Sequence, residues 1–132
     1  ATTNGSTALF TITGIVLVRA ILGYVTVAFD GTTTSLNLTH DPTIGSAVDI
    51  CAATVVTSDE IGTVYSYLGA VPTTLLASSG TAAPGTAYAP KPADAFFTAG
   101  QVFHKGTAAD AGTVLWRCIY VPVSDGAGVA AA

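Results

Sequence analysis

Charge is what this chain has least of. Only four of its 132 residues are basic (Arg19, Lys91, Lys105 and Arg117), eight are acidic, and Glu60 is the single glutamate. Charged side chains make up 9% of the chain, against roughly 25% in an ordinary soluble domain. A monomer normally spreads Lys and Glu over its surface to stay soluble, so much of this surface is expected to be covered by other protein chains. The basic residues are scattered and the net charge is −4, which argues against nucleic acid as a partner, because phosphate binding needs clustered Lys and Arg.

Long apolar runs are missing as well. A membrane-spanning helix needs about 20 apolar residues in succession, and the richest stretch, Ile15 to Phe29, is interrupted by Arg19. No membrane partner is expected. The opening ATTNGSTA has neither a basic nor an apolar region of the kind a signal peptide carries. Ala1 is expected to follow a removed initiator methionine; the chain contains no methionine. Cysteine is limited to Cys51 and Cys118, which lie 67 positions apart with no CxxC and no paired histidines, so a metal site is not expected. Two buried free thiols are the expectation for a protein made in the cytosol, although a sandwich could also bring the pair within disulfide reach.

What is present is small and β-branched: 23 Ala, 21 Thr, 14 Gly and 14 Val. Residues 9–13 alternate, and residues 14–29 (GIVLVRAILGYVTVAF) are almost continuously apolar. Gly14, Gly23 and the β-branched residues disfavour a helix there; a long strand buried on both faces, bent or bulged near Gly23, is expected instead. Asp30-Gly31 reads as a turn, residues 34–39 as a short strand, and His40-Asp41-Pro42 as a break, since proline pushes the residue before it out of the α region. Residues 47–56 read as a strand with Val48, Ile50 and Ala52 on one face and Asp49, Cys51 and Ala53 on the other. A helical turn fits residues 58–60, and short strands fit 64–68, 74–77 and 95–105. Residues 113–123 alternate most clearly: Val114, Trp116, Cys118 and Tyr120 face one way, Leu115, Arg117, Ile119 and Val121 the other, and Pro122 marks a strand end or sheet edge.

The expected fold class is therefore all-β: a β-sandwich, with a jelly roll as one arrangement, of about eight or nine short strands forming one domain over residues 1–132. Residues 78–92 (SSGTAAPGTAYAPKP) read as an extended Pro/Gly-rich loop or arm, and residues 124–132 as a Gly/Ala-rich tail that frays unless it docks.

Candidate chemistry is sparse. His40-Asp41 and Asp59-Glu60 are adjacent acidic or His-acid pairs, and two-carboxylate catalysis needs groups opposed across a site; Asp59-Glu60 is expected to be a solvated turn or cap. His40 and His104 could meet a carboxylate to bind metal, but lone histidines more often make structural hydrogen bonds. A GxSxG elbow is missing, as are GxGxxG, Walker and calcium-loop sequences, and Cys118 beside Trp116 is expected to be buried and inert. The sequons at Asn4 and Asn37 are expected to be accidents of a Thr-rich chain. No catalytic residues, metal ligands or cofactors are expected. Trp116 with Tyr24, Tyr65, Tyr67, Tyr88 and Tyr120 could form a sugar-binding platform, yet alternation places Trp116 beside Val114 and Cys118, which reads as core.

Three segments carry a family resemblance: LFTITGIVLVR (residues 9–19), VDICAA (48–53) and GTVLWRCIYVPVSDGAGVAAA (112–132). Together, about a third of the chain, they resemble small tailed-bacteriophage virion proteins of the capsid decoration, or cement, type. The resemblance implies a non-enzymatic protein on the virion surface, often trimeric at three-fold and quasi-three-fold axes, with the major capsid protein as partner. It carries over no site residues. Another virion component (a head fibre base, tail or spike protein) and a small carbohydrate- or cell-surface-binding β-sandwich module are the alternatives.

Overall fold

Alternating, β-branched segments have no partner within themselves, so their backbone groups must be satisfied by neighbouring strands. The computed structural model describes residues 4–32, 34–67, 76–77, 95–108 and 111–132, and these form eleven strands and no helix. In chain order they are β1 (Asn4–Thr13), β2 (Val16–Val27), β3 (Ser35–Pro42), β4 (Val48–Asp49), β5 (Thr54–Val55), β6 (Val64–Tyr67), β7 (Leu76–Ala77), β8 (Ala95–Phe97), β9 (Gly100–Thr107), β10 (Thr113–Pro122) and β11 (Gly128–Ala131). All pairings are antiparallel and build two sheets packed as a sandwich. The first runs β11-β1-β9-β3, with β4 and β5 both on the outer edge of β3. The second runs β10-β2, with β6 and β8 sharing the other edge of β2 and β7 beyond β6. Because β9 lies between β1 and β3, the first sheet is not a meander and depends on pairings distant in sequence.

The core fills the gap between the inner faces. Phe10, Ile12, Leu36, Leu38 and Val102 project from the first sheet; Val16, Val18, Ile21, Val25, Tyr65, Val114 and Trp116 project from the second. Two bulges decide which residues those are. On β1, Ala8 pairs with Phe103 and Phe10 with Val102, so Leu9 is the extra residue and the phase shifts to bury Phe10 and Ile12. On β2, Val18 pairs with Tyr120 and Ala20 with Ile119, leaving Arg19 extra. Inward residues are Val16 and Val18 before this bulge and Ile21, Gly23 and Val25 after it. The long apolar segment is thus one-sided, with Arg19 and Tyr24 exposed, rather than buried on both faces; its register shifts leave Arg19 and Thr26 extra, not Gly23. Gly23 serves a different purpose. A Cβ there would stand 2.8 Å from the Trp116 ring, so glycine lets the indole lie on the β2 backbone.

Several other expectations change. Residues 95–105 are two strands in different sheets, joined by a corner at Gly100, whose φ is +156°. His40, Asp41 and Pro42 do not break β3 but continue its pairing with β9, because the extended conformation required before proline is also that of a strand. Residues 47–56 split into β4 and β5 around Ile50 and Cys51, which are both buried, so strict alternation fails there. Residues 58–60 form no helical turn; Ser58 adopts a left-handed φ of 60° in a tight connection. The Gly/Ala-rich end docks, with β11 pairing against β1 from Gly128 to Ala131. Residues 78–92 lie outside the described residues.

The corner at Gly100 is the most sequence-demanding point. A Cβ built there meets the Asp41 carbonyl oxygen at 2.2 Å, in a φ region that L side chains rarely adopt. Gly100→Ala is expected to lower unfolding free energy by about 2 kcal/mol or more, read as a lower denaturant midpoint; an unchanged midpoint would show that the corner has slack.

Candidate functional site

The polar side chains that the sequence singles out are mostly inside. His104 on β9 is fully buried, and its Nδ1 accepts a hydrogen bond from Trp116 Nε1–H at 3.3 Å, which places the ring proton of a neutral His104 on Nε2. The indole also packs against Tyr65, ring centroids 6.5 Å apart. His40, on the neighbouring strand β3, is also buried, stacked on Phe97 at 4.9 Å, with its Nε2–H donating to the Thr98 carbonyl at 3.0 Å. Burial lowers the pKa of His40 below its usual 6.5, against smaller opposing effects from the Thr98 hydrogen bond and the Asp41 charge. The two histidines hold structural hydrogen bonds, and among the described residues no three His, Cys, Asp or Glu side chains converge.

Asp59 departs from the expected solvated turn. It is buried, and its Oδ2 accepts a 2.6 Å hydrogen bond from the Tyr65 hydroxyl, while Glu60 stays exposed. Burial raises the Asp59 pKa, and the Tyr65 bond partly offsets that. The pairing pins the connection ahead of β6 to the core. Asp49, by contrast, is exposed at the sheet edge, and its pKa is lowered first by the Thr39 hydroxyl and then by Lys105, whose Nζ lies 3.6 Å away. At that exposure the ion pair adds little stability.

Both cysteines are free. Cys51 is buried with Sγ accepting from the Leu38 amide at 3.3 Å, and burial pushes its thiol up to about 11. Burial likewise raises Cys118, on the other sheet, to about 11. Thiols held protonated at neutral pH are poor nucleophiles.

Among the described residues the aromatic side chains do not form a platform. Tyr65, Tyr67 and Trp116 are core, as the alternation of β10 predicts for Trp116; Tyr24 is exposed, Tyr120 half-buried, and Tyr88 lies outside the described residues. What the second sheet presents outward is a broad apolar strip. Register places Leu115 beside Tyr24, Arg117 beside Leu22, and Val121 beside Leu17, which in turn neighbours Phe96. Tyr24, Phe96, Leu115, Ile119 and Val121 are between 40% and 70% exposed, far more than their inward neighbours on the same strands. A shallow depression of about 310 Å³ opens among Leu22, Gly23, Tyr24, Val64, Leu115 and Arg117. Beside the strip runs the outer edge of β10, ten residues long, with which no described strand pairs. Alternation separates the Leu115–Val121 row from the core but does not by itself mark it as a site. The signal that could have done so is an edge strand, flagged by proline, that is apolar on its solvent face as well as its core face.

Comparison of the chain with protein-family models, with curated proteins and with solved structures finds no match.

The His40 environment sets a pH dependence. A histidine whose pKa is lower folded than unfolded binds more protons in the unfolded state, so its stabilising contribution is complete above pH 6.5 and is lost as pH falls below it. Asp59, with its pKa raised by burial, acts with the opposite sign, its contribution present below 3.8 and lost as pH rises above it. The thermal midpoint is therefore expected to fall on acidification from pH 7 toward 5, and the fall to be smaller in His40→Gln. An equal fall in both proteins would remove His40 from the explanation.

Proposed function

We propose that the chain is a structural virion protein: a capsid decoration, or cement, protein that binds the outside of a tailed-phage head, stabilises contacts between major capsid subunits, and works as a homotrimer. The observation that carries this reading is the apolar outer strip of the second sheet beside a ten-residue edge with which no described strand pairs, on a chain with only 9% charged residues. Exposed apolar strips and long open edges invite association, and native proteins cover them; symmetric assembly and docking on a shell do so. The three segments that resemble decoration proteins point the same way.

The reading also suits the interior. His40, His104, Asp59, Cys51 and Cys118 are engaged in hydrogen bonds or held neutral by burial, which favours a passive, mechanical protein over a catalyst. Function is then an energy sum: each buried apolar Å² contributes about 25 cal/mol gross, and attachment of one oligomer to several capsid subunits adds avidity without new contacts.

Two measurements test this. Light scattering is expected to give three times the 13.1 kDa chain mass, and the protein is expected to co-sediment with expanded empty heads of the phage that encodes it, raising their disruption temperature. A monomer with no affinity for the heads would contradict the proposal.

A further inference from the structure

We propose that the outer face of the first sheet carries a binding site for a neutral saccharide, sized for one pyranose ring, with Phe103 as its stacking surface and Asp41 and Lys105 as its polar ends. The site lies on the opposite sheet from the apolar strip, so the proposal does not depend on the virion reading.

Register builds the site. Strands β1, β9 and β3 turn their outward side chains into cross-strand rows: Ser6 beside Lys105, then Ala8 beside Phe103 beside Thr39, then Gln101 beside Asp41. Phe103 stands in the middle row, a single half-buried ring set apart from the core aromatics. The rows of Lys105 and Asp41 flank it at roughly 7 Å on either side, two residues along the strand. Its β1 neighbour, Ala8, brings only a methyl group. A depression of about 190 Å³ opens on this face, lined by Ser6, Thr39, Asp41, Ala47, Phe103 and Lys105. Pockets for drug-sized ligands run to roughly 300–1,000 Å³, so this one suits a single ring.

The polar groups are set in place before a ligand arrives. Asp49, at the end of the middle row, accepts a 2.8 Å hydrogen bond from the Thr39 hydroxyl and lies 3.6 Å from Lys105 Nζ. An ion pair this exposed stabilises the fold little. It does lean the lysine across β3, leaving its other N–H groups to donate, and it commits the Thr39 proton so that the hydroxyl oxygen is left to accept.

The chemistry of this set selects the ligand class. The Asp41 carboxylate accepts hydrogen bonds, the Lys105 ammonium donates them, and the Ser6 hydroxyl does either. A matching ligand carries donors and acceptors on one small frame, as sugar hydroxyls do. A phosphate or sulfate is drawn to Lys105 but repelled by Asp41, and a metal ion is drawn to Asp41 but repelled by Lys105. The Phe103 ring supplies what an ion has no use for: its negative face attracts the weakly positive C–H groups on the apolar side of a pyranose.

The test is a titration of the full, isotope-labelled chain with the methyl glycosides of glucose, galactose and mannose, followed by amide chemical shifts. At least one glycoside is expected to shift Thr39, Asp41, Phe103 and Lys105 and to saturate with Kd on the order of 1 mM, the affinity that about a dozen heavy atoms reach at ordinary efficiency. Phe103→Ala and Asp41→Ala are each expected to weaken binding about fivefold or more, and Leu115→Ser, on the opposite sheet, to leave it unchanged. Phe103→Trp keeps a stacking face and is expected to retain binding, which separates loss of the ring from loss of the fold; thermal melting verifies each variant. Absence of a saturating shift at these amides overturns the proposal. So does binding that persists undiminished in both Phe103→Ala and Asp41→Ala, which places the sugar elsewhere. If sodium phosphate shifts the same amides as strongly, the site takes anions and the saccharide assignment is wrong.

Discussion

The hydrogen bond from Trp116 across the sandwich to His104 is the contact on which the two sheets' alignment depends. It joins β10 of one sheet to β9 of the other through two aromatic rings, in an interior where an unpaired imidazole or indole nitrogen costs about 1–3 kcal/mol. The indole can reach only because Gly23 has no side chain to hold it off β2. Once Trp116 is seated inward, the period of two along β10 leaves no choice for its neighbours. Leu115, Arg117 and Ile119 must face out. The core contact and the proposed docking strip are therefore two sides of the same strand, and a register slip of one residue would exchange them.

The scarcity of charge acquires a location in this arrangement. An apolar, lightly charged chain could have spread its hydrophobic exposure evenly, with single exposed residues that need no explanation. Of the twelve large apolar side chains exposed among the described residues, five lie along one face of the second sheet, Tyr24 and Leu115 of them at a shallow depression, beside the longest strand edge that no described strand covers. The first sheet differs. Its outward positions include Thr11, Asn37, Gln101 and Lys105, its edge strands β4 and β5 expose Val48 and Val55, and β11 covers the outer edge of β1 only along Phe10–Thr13.

Much of this was legible in the sequence. The β10 alternation, the core position of Trp116 and the all-β sandwich follow from period-two patterning and β-branched composition. Bulges were not legible, because the extra residues Leu9 and Arg19 look like any others until the partner strand's register is known. The split of residues 95–105 between two sheets was hidden for the same reason: a corner needs one permissive residue, and Gly100 is one glycine among 14. Asp59 was misplaced because an acid next to Glu60 reads as solvated unless the tyrosine six positions on is known to point at it. The strip was readable as a row but not as a patch, since pairing Leu115 with Tyr24 at one end and Val121 with Leu17 and Phe96 at the other joins three strands.

Amide hydrogen exchange, followed along β10 in the free protein and in the protein bound to empty heads, tests the central claim most directly. Outward-pointing amides of Thr113–Pro122, with no described strand across from them, should exchange quickly when the protein is free and slow markedly on the heads, together with the side of β2 that carries Leu22 and Tyr24. If β10 exchanges equally fast in both states while protection develops on β1, β9 or β3, the first sheet faces the capsid and the outer strip of β10 and β2 is not the docking surface.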